Sequence, residues 1–192
     1  MHRLASTFVL GYHGCDREVG EKLLSGTPFK PSDNKYDWLG PGIYFWEANP
    51  LRGLEFATEA AKREPSRIKE AFVVGAIVEL GFCLDLTTKA GIEMVRIACQ
   101  SLFETSRTAG GPLPENSPDK LRHPLDCAVI RRVHSIVEET GPFDTVRGVF
   151  TEGSPIYPGA GFLEKTHIQI AVRNPNCIKG VFRVPENQLD LA

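Results

Sequence analysis

The sequence predicts an α+β domain, and three observations point to it. Short apolar segments rich in Val, Ile and Phe occur among segments of helical periodicity without strict alternation, so no regular strand–helix repeat builds a parallel sheet. Turn and capping residues fall at the joints between these segments. Across 192 residues there is neither an internal repeat nor a Pro/Gly/Ser-rich linker, so one domain spanning 1–192 with its own core is expected.

Phe8 to Tyr12 reads as a buried strand. Asp16 is placed to cap a first helix, Arg17 to Leu24, whose Val19, Leu23 and Leu24 share a face. Ser25-Gly26-Thr27-Pro28 ends it, and Phe29 to Leu39 is a turn-rich loop. Gly42 to Trp46 is a second short strand. Asn49 as cap and Pro50 at the first helical position start a helix that runs to about Arg63 and is closed by Pro65. Ala71 to Leu86 is a long apolar run, read as one central strand kinked at Gly81. Thr88 to Ser106 has helical periodicity through Ile92, Val95, Ala98 and Leu102. Gly110, Gly111, Pro112, Pro114 and Pro118 make Arg107 to Pro124 a loop. Leu125 to Thr140 is a further helix, and 89–140 as a whole reads as a helical insertion. Thr145 to Thr151 is a strand, Glu152 to Lys165 a second long loop, and Thr166 to Arg173 another strand. Ile178 to Val184 is a last strand, expected to pair with it through Asn174-Pro175-Asn176.

The net charge of −2 gives no global electrostatic case for nucleic acid or a membrane surface. Cys15, Cys83, Cys99, Cys127 and Cys177 are odd in number, scattered and without a CxxC pair. That argues for free thiols in a reducing, cytoplasmic setting. Met1 to Thr7 is too short and polar for a signal peptide, and no apolar run reaches the length of a membrane span, so no membrane partner is expected; export by a dedicated machine stays open. Cys99, Cys127, His123 and His134 lack the spacing of a zinc site, so no metal is expected. Arg131-Arg132 with His134 reads as a solvated helix face or a basic patch.

The most specific feature is Gly40-Pro41-Gly42-Ile43-Tyr44-Phe45-Trp46-Glu47, about thirty residues after a strand that ends in His13-Gly14. An apolar strand ending in His-Gly, followed by Gly-x-Gly-Ile-Tyr-Phe, resembles the first two signature elements of the ADP-ribosyltransferase superfamily, in the clade of diphtheria toxin and the poly-ADP-ribose polymerases. The resemblance covers the first sixty residues and about the last forty-five. It implies a split, mostly antiparallel β-sandwich with helices around an NAD cleft. It implies an enzyme that opens NAD, its co-substrate, at the nicotinamide–ribose bond, releases nicotinamide and transfers ADP-ribose.

The family's site residues carry over by position. His13 matches the histidine that donates to the adenosine ribose. Gly14 lets the nicotinamide carboxamide approach the backbone, with Tyr12 beside it. Tyr44 matches the tyrosine that stacks on nicotinamide, and an aromatic face suits that planar cation; Gly42 lies in the same motif. Phe56 is near the offset of a second stacking aromatic, and equally reads as helix core. Gln169 falls where the family uses Glu. An amide can hold a ribose 2′-OH but adds no negative charge beside an oxocarbenium-like sugar. Glu152 and Glu164 in the preceding loop are alternative carboxylates. That loop, with Tyr157, would present the acceptor, and His167, two residues before Gln169, sits where toxins of this kind choose theirs. His13, Tyr44 and Gln169 each also have a plain reading as core or backbone partner.

The resemblance thus implies a mono-ADP-ribosyltransferase acting on a macromolecule, protein more than nucleic acid, of the toxin, effector or defence kind, with an antitoxin- or immunity-type partner. An NAD glycohydrolase, a nucleic-acid ADP-ribosyltransferase and a catalytically inactive ADP-ribose-binding module remain as alternatives.

Overall fold

The computed structural model describes residues 8–118 and 122–190. The expectation for Met1 to Thr7 lies outside them, as does part of the 107–124 loop. Seven strands are seen among the described residues: β1 (Phe8–Asp16), β2 (Ile43–Glu47), β3 (Ala71–Glu79), β4 (Cys83–Asp85), β5 (Thr145–Phe150), β6 (His167–Val172) and β7 (Ile178–Arg183). Four helices accompany them: α1 (Arg17–Leu24), α2 (Pro50–Ala61), α3 (Lys89–Ala109) and α4 (Pro124–Val137). The α+β class follows directly.

Side chains cap three of the helices, at Asp16 and Asn49 where the sequence places caps, and at Thr88, which the sequence places within the helix. Asp16 accepts from Glu18 N–H, Asn49 from Arg52 N–H and Thr88 from Gly91 N–H. Two strand expectations are corrected. The 71–86 run is two strands, because Gly81, in the left-handed region at φ 57°, turns the chain between β3 and β4. The last two strands do not pair with each other. Asn174 caps a 3₁₀ turn over Pro175–Cys177 that carries the chain to the far edge, where β7 pairs with β3.

The strands form one hydrogen-bonded sheet in the order β4-β5-β6-β2-β1-β3-β7, antiparallel except for β4–β5. The two packed halves expected are joined as one continuous sheet, narrowed at its middle. There β1 and β2 pair only at Gly11–Glu47 and Tyr12–Trp46. Beyond that pinch the halves face each other. Ile43 and Phe45 of β2 and Ile170 and Val172 of β6 share one core cluster with Ala76 and Val78 of β3. A Cβ at Gly11 would press on Phe45 from across this core.

The other face is covered by helices in two places. Over β5 and β6, α3 and α4 bury Ala98, Val129, Ile130 and Val133 against Val146, Phe150 and Ala171. The 89–140 segment thus supplies much of a core. Over β1, β2 and β3, α2 approaches so closely that a Cβ at Gly14 would collide with the Gly53 carbonyl.

Candidate functional site

The site lies on the helix-covered face, between α2 on one side and α3–α4 on the other. Register decides which side chains share that face, because residues directly opposite in an antiparallel pair point the same way. Tyr44 is opposite Ala171 and Trp46 opposite Gln169. Gly148 and Phe150 of β5 are opposite Gln169 and His167. Tyr44, Trp46, Phe150, His167 and Gln169 therefore stand on one face. Gln169 is half-buried, and among the described residues its amide shows no hydrogen bond.

Aromatic rings run along this face. Trp38 lies 4.2 Å from Phe150 between centroids, Phe150 5.8 Å from His167, His167 6.4 Å from Trp46, and Trp46 4.8 Å from Phe56. Phe56 thus comes to the site through Trp46. The two-residue link Ala48-Asn49 and the Asn49 cap bring the first turn of α2 beside the end of β2, which sets Arg52 5.9 Å from the Trp46 ring.

Four buried polar atoms here lack a hydrogen-bond partner among the described residues: Trp46 Nε1, Arg52 Nε and Nη1, and His167 Nε2. Native structures rarely leave such groups unpaired without a reason. Arg52 Nη2 donates to Glu152 Oε2 at 2.9 Å, while Nη1 lies 3.4 Å from Glu55 Oε2, an ion pair out of hydrogen-bond alignment. His167 Nδ1 lies 2.6 Å from the Lys165 carbonyl, which can only accept, so Nδ1 holds the proton and Nε2 presents its lone pair. Burial lowers the His167 pKa, and the Lys165 carbonyl opposes this. The ring is neutral at neutral pH.

His13 is placed differently. Its ring packs against Phe29 and Phe45, on the side of the sheet opposite the Tyr44 ring, and Nδ1 donates to the Tyr44 backbone carbonyl at 2.8 Å. It meets Tyr44 where β1 leaves β2. Burial lowers its pKa as well. The Tyr44 ring is partly buried against the α3–α4 core, and its hydroxyl donates to Gly40 O at 2.6 Å and accepts from Leu39 N–H at 3.1 Å. Gly42 is bridged to Ser32, and Tyr12 is buried under α2 and against Phe182. Gly14 faces the α2 backbone.

The 152–165 loop is closed on itself by a Pro155–Leu163 bridge, and Glu164 accepts from Ser154 N–H. Its base is tied to α2 by Glu152–Arg52 and by Lys165 to Glu55 and Glu59. Its tip exposes Ile156, Tyr157 and Phe162.

Two surface cavities, about 580 and 380 Å³, lie elsewhere: one among Asp16, Arg17 and Lys69, the other beside Pro41, Asp144 and Arg173. Both are solvent-open and lack the orphaned donors of the Gln169 face. Among the described residues no cluster of His, Cys, Asp and Glu is arranged to hold a metal ion, and no helix is long and apolar enough to cross a membrane. Sequence reasoning missed Trp46, Arg52, Phe150 and Trp38. Trp46 was signalled by its parity with Tyr44, and Arg52 by its place one turn after the Asn49 cap.

The chain is 28% identical over 189 residues to an uncharacterized protein of Methanocaldococcus jannaschii, an alignment covering 88% of this chain and 83% of the relative. No family model and no solved structure matches the chain.

Proposed function

We propose that this is a mono-ADP-ribosyltransferase with the split-sandwich ADP-ribosyltransferase fold, cleaving NAD and passing ADP-ribose to a macromolecular acceptor. The observation that carries the reading is the common face of Tyr44, Trp46 and Gln169, two of which come from the Gly-x-Gly-Ile-Tyr-Phe-Trp run. Flanking orphaned donors supply polar contacts for a ligand. NAD lies along this face, with nicotinamide against the aromatic row and Gln169 on the 2′-OH of its ribose. His13 acts as a positioning residue, fixing the Tyr44 backbone at the strand fork. The 152–165 loop, with Tyr157 exposed, borders the acceptor.

A second reading, an ADP-ribose-binding module without chemistry, is favoured by the amide at position 169, which adds no negative charge beside an oxocarbenium-like sugar. One experiment separates the two. Nicotinamide release and labelling of protein by radiolabelled NAD are followed for wild type, Gln169→Ala and Gln169→Glu. Loss of a transition-state hydrogen bond should cost Gln169→Ala about 100- to 1000-fold in rate with NAD still bound. Gln169→Glu should keep or raise nicotinamide release. Full activity in Gln169→Ala removes Gln169 from the chemistry; NAD left intact by all three while still binding selects the module.

A further inference from the structure

We infer that His167 is the general base of the transfer step, and that the acceptor is a neutral hydroxyl-type nucleophile that must lose a proton. The inference rests on the NAD-cleaving reading and goes beyond it in naming the acceptor's chemistry.

Three observations carry it. The Lys165 carbonyl fixes the tautomer, leaving the Nε2 lone pair unused. Nε2 is buried without a partner, between the Phe150 and Trp46 rings. His167 also stands on the face of β6 that carries Gln169, two residues along one strand. An unused base held beside the group that orients the ribose is what proton removal from an incoming acceptor requires. A carboxylate acceptor would need no base. Glu164 is committed to Ser154 and Glu152 to Arg52, so neither carboxylate competes for the role.

The step balances. The acceptor oxygen bonds to the anomeric carbon of the ribose as the bond from that carbon to nicotinamide breaks. The electron pair of the broken bond leaves with nicotinamide, which departs neutral. The acceptor's proton passes to Nε2 and then to solvent. The charges facing the imidazole are Glu152 on the loop and Arg52 and Glu55 on α2; the two carboxylates favour the protonated ring and Arg52 opposes it. In this conformation Nε2 is shielded from water, so the base serves an acceptor that displaces its covering rather than bulk solvent.

The test uses the whole chain, NAD, and methanol as the hydroxyl probe, with nicotinamide and methyl-ADP-ribose measured from pH 5 to 8. His167→Gln keeps a polar acceptor near the Nε2 position without basicity; His167→Asn keeps the donor at the Nδ1 position. Wild-type transfer should rise with pH through an apparent value below 6.5 and then level. Both variants should bind NAD as wild type does, melt at a similar temperature, transfer about 100-fold more slowly and lose the rising limb. Transfer in His167→Gln at the wild-type rate with the same pH profile overturns the inference while the NAD reading stands. A slow variant that keeps the rising limb also overturns it, since a structural role would lower rate without removing the titration. Wild type that releases no nicotinamide overturns the reading and the inference together.

Discussion

At the scale of the residue, buried titratable side chains without partners tie stability to pH, and His134 is the clearest instance. It sits on α4 in the core beside Phe143, and neither ring nitrogen has a hydrogen bond among the described residues. Burial, with Arg173 and Arg131 adding repulsion, pushes its pKa from 6.5 down to about 4. The folded pKa lies below the unfolded one, so the unfolded chain takes up a proton that the folded chain refuses. Stability is therefore full above about pH 6.5 and falls as the pH drops toward 4, by about 3 kcal/mol. His134→Leu should flatten denaturant-derived stability across that window. Burial lowers the His13 and His167 pKa values too, so a slope of the same sign remains. An unchanged slope in His134→Leu would mean the ring is solvated. The residues of the site were unevenly legible. Parity along β2 and along β6 is a local property, so the alternation of Tyr44 with Phe45 and of Gln169 with Ile170 could be expected; the register that puts Tyr44 and Gln169 on one face is a tertiary choice. The side taken by the His13 ring depends on how far β1 and β2 stay paired, which no local pattern encodes.

At the scale of the element, caps and turns were readable because their chemistry is local: Asp16 and Asn49 each bond a backbone N–H two or three residues on. The partner of β7 was not. Asn174-Pro175-Asn176 reads as a hairpin turn, but the 3₁₀ turn there redirects the chain, and β7 completes the edge beyond β3. Pairing across the sheet is fixed by burial of Ile178, Val181 and Phe182 against other elements, a tertiary choice. The 152–165 loop shows the same division. Its length and turn residues were evident; its anchorage to α2 through Arg52–Glu152 and Lys165–Glu59 was not. With the base fixed and Tyr157 exposed at the tip, Tyr157→Ala should reduce labelling of the macromolecular acceptor while NAD affinity, measured by calorimetry, stays within about twofold, since exposed side chains far from anchoring contacts contribute little to a neighbouring site. A parallel loss of NAD binding would place the tip in the NAD site.

At the scale of the whole molecule, the single sheet ties every core together. β2 and β6 present Ile43, Phe45, Ile170 and Val172 to the core shared with β3, and Tyr44 and Ala171 to the core under α3 and α4. Disturbing either core disturbs the strands that carry Trp46 and Gln169, so ligand binding on their face should be felt by the fold as a unit. A ligand that binds only the folded state stabilises it by about 2.7 kcal/mol at a hundredfold excess over its Kd. Adding NAD should therefore raise the melting temperature progressively with concentration, in one transition. Both tryptophans of the chain, Trp38 and Trp46, belong to the aromatic row, so their fluorescence should change over the same NAD range. Trp46→Phe keeps an aromatic face but removes the orphaned Nε1–H; it should weaken the NAD-induced rise in melting temperature while Trp38 still reports binding. A melting temperature that rises with NAD while both tryptophans stay silent would put the NAD site on another part of the surface, with the cavity beside Pro41 and Arg173 the next place to look.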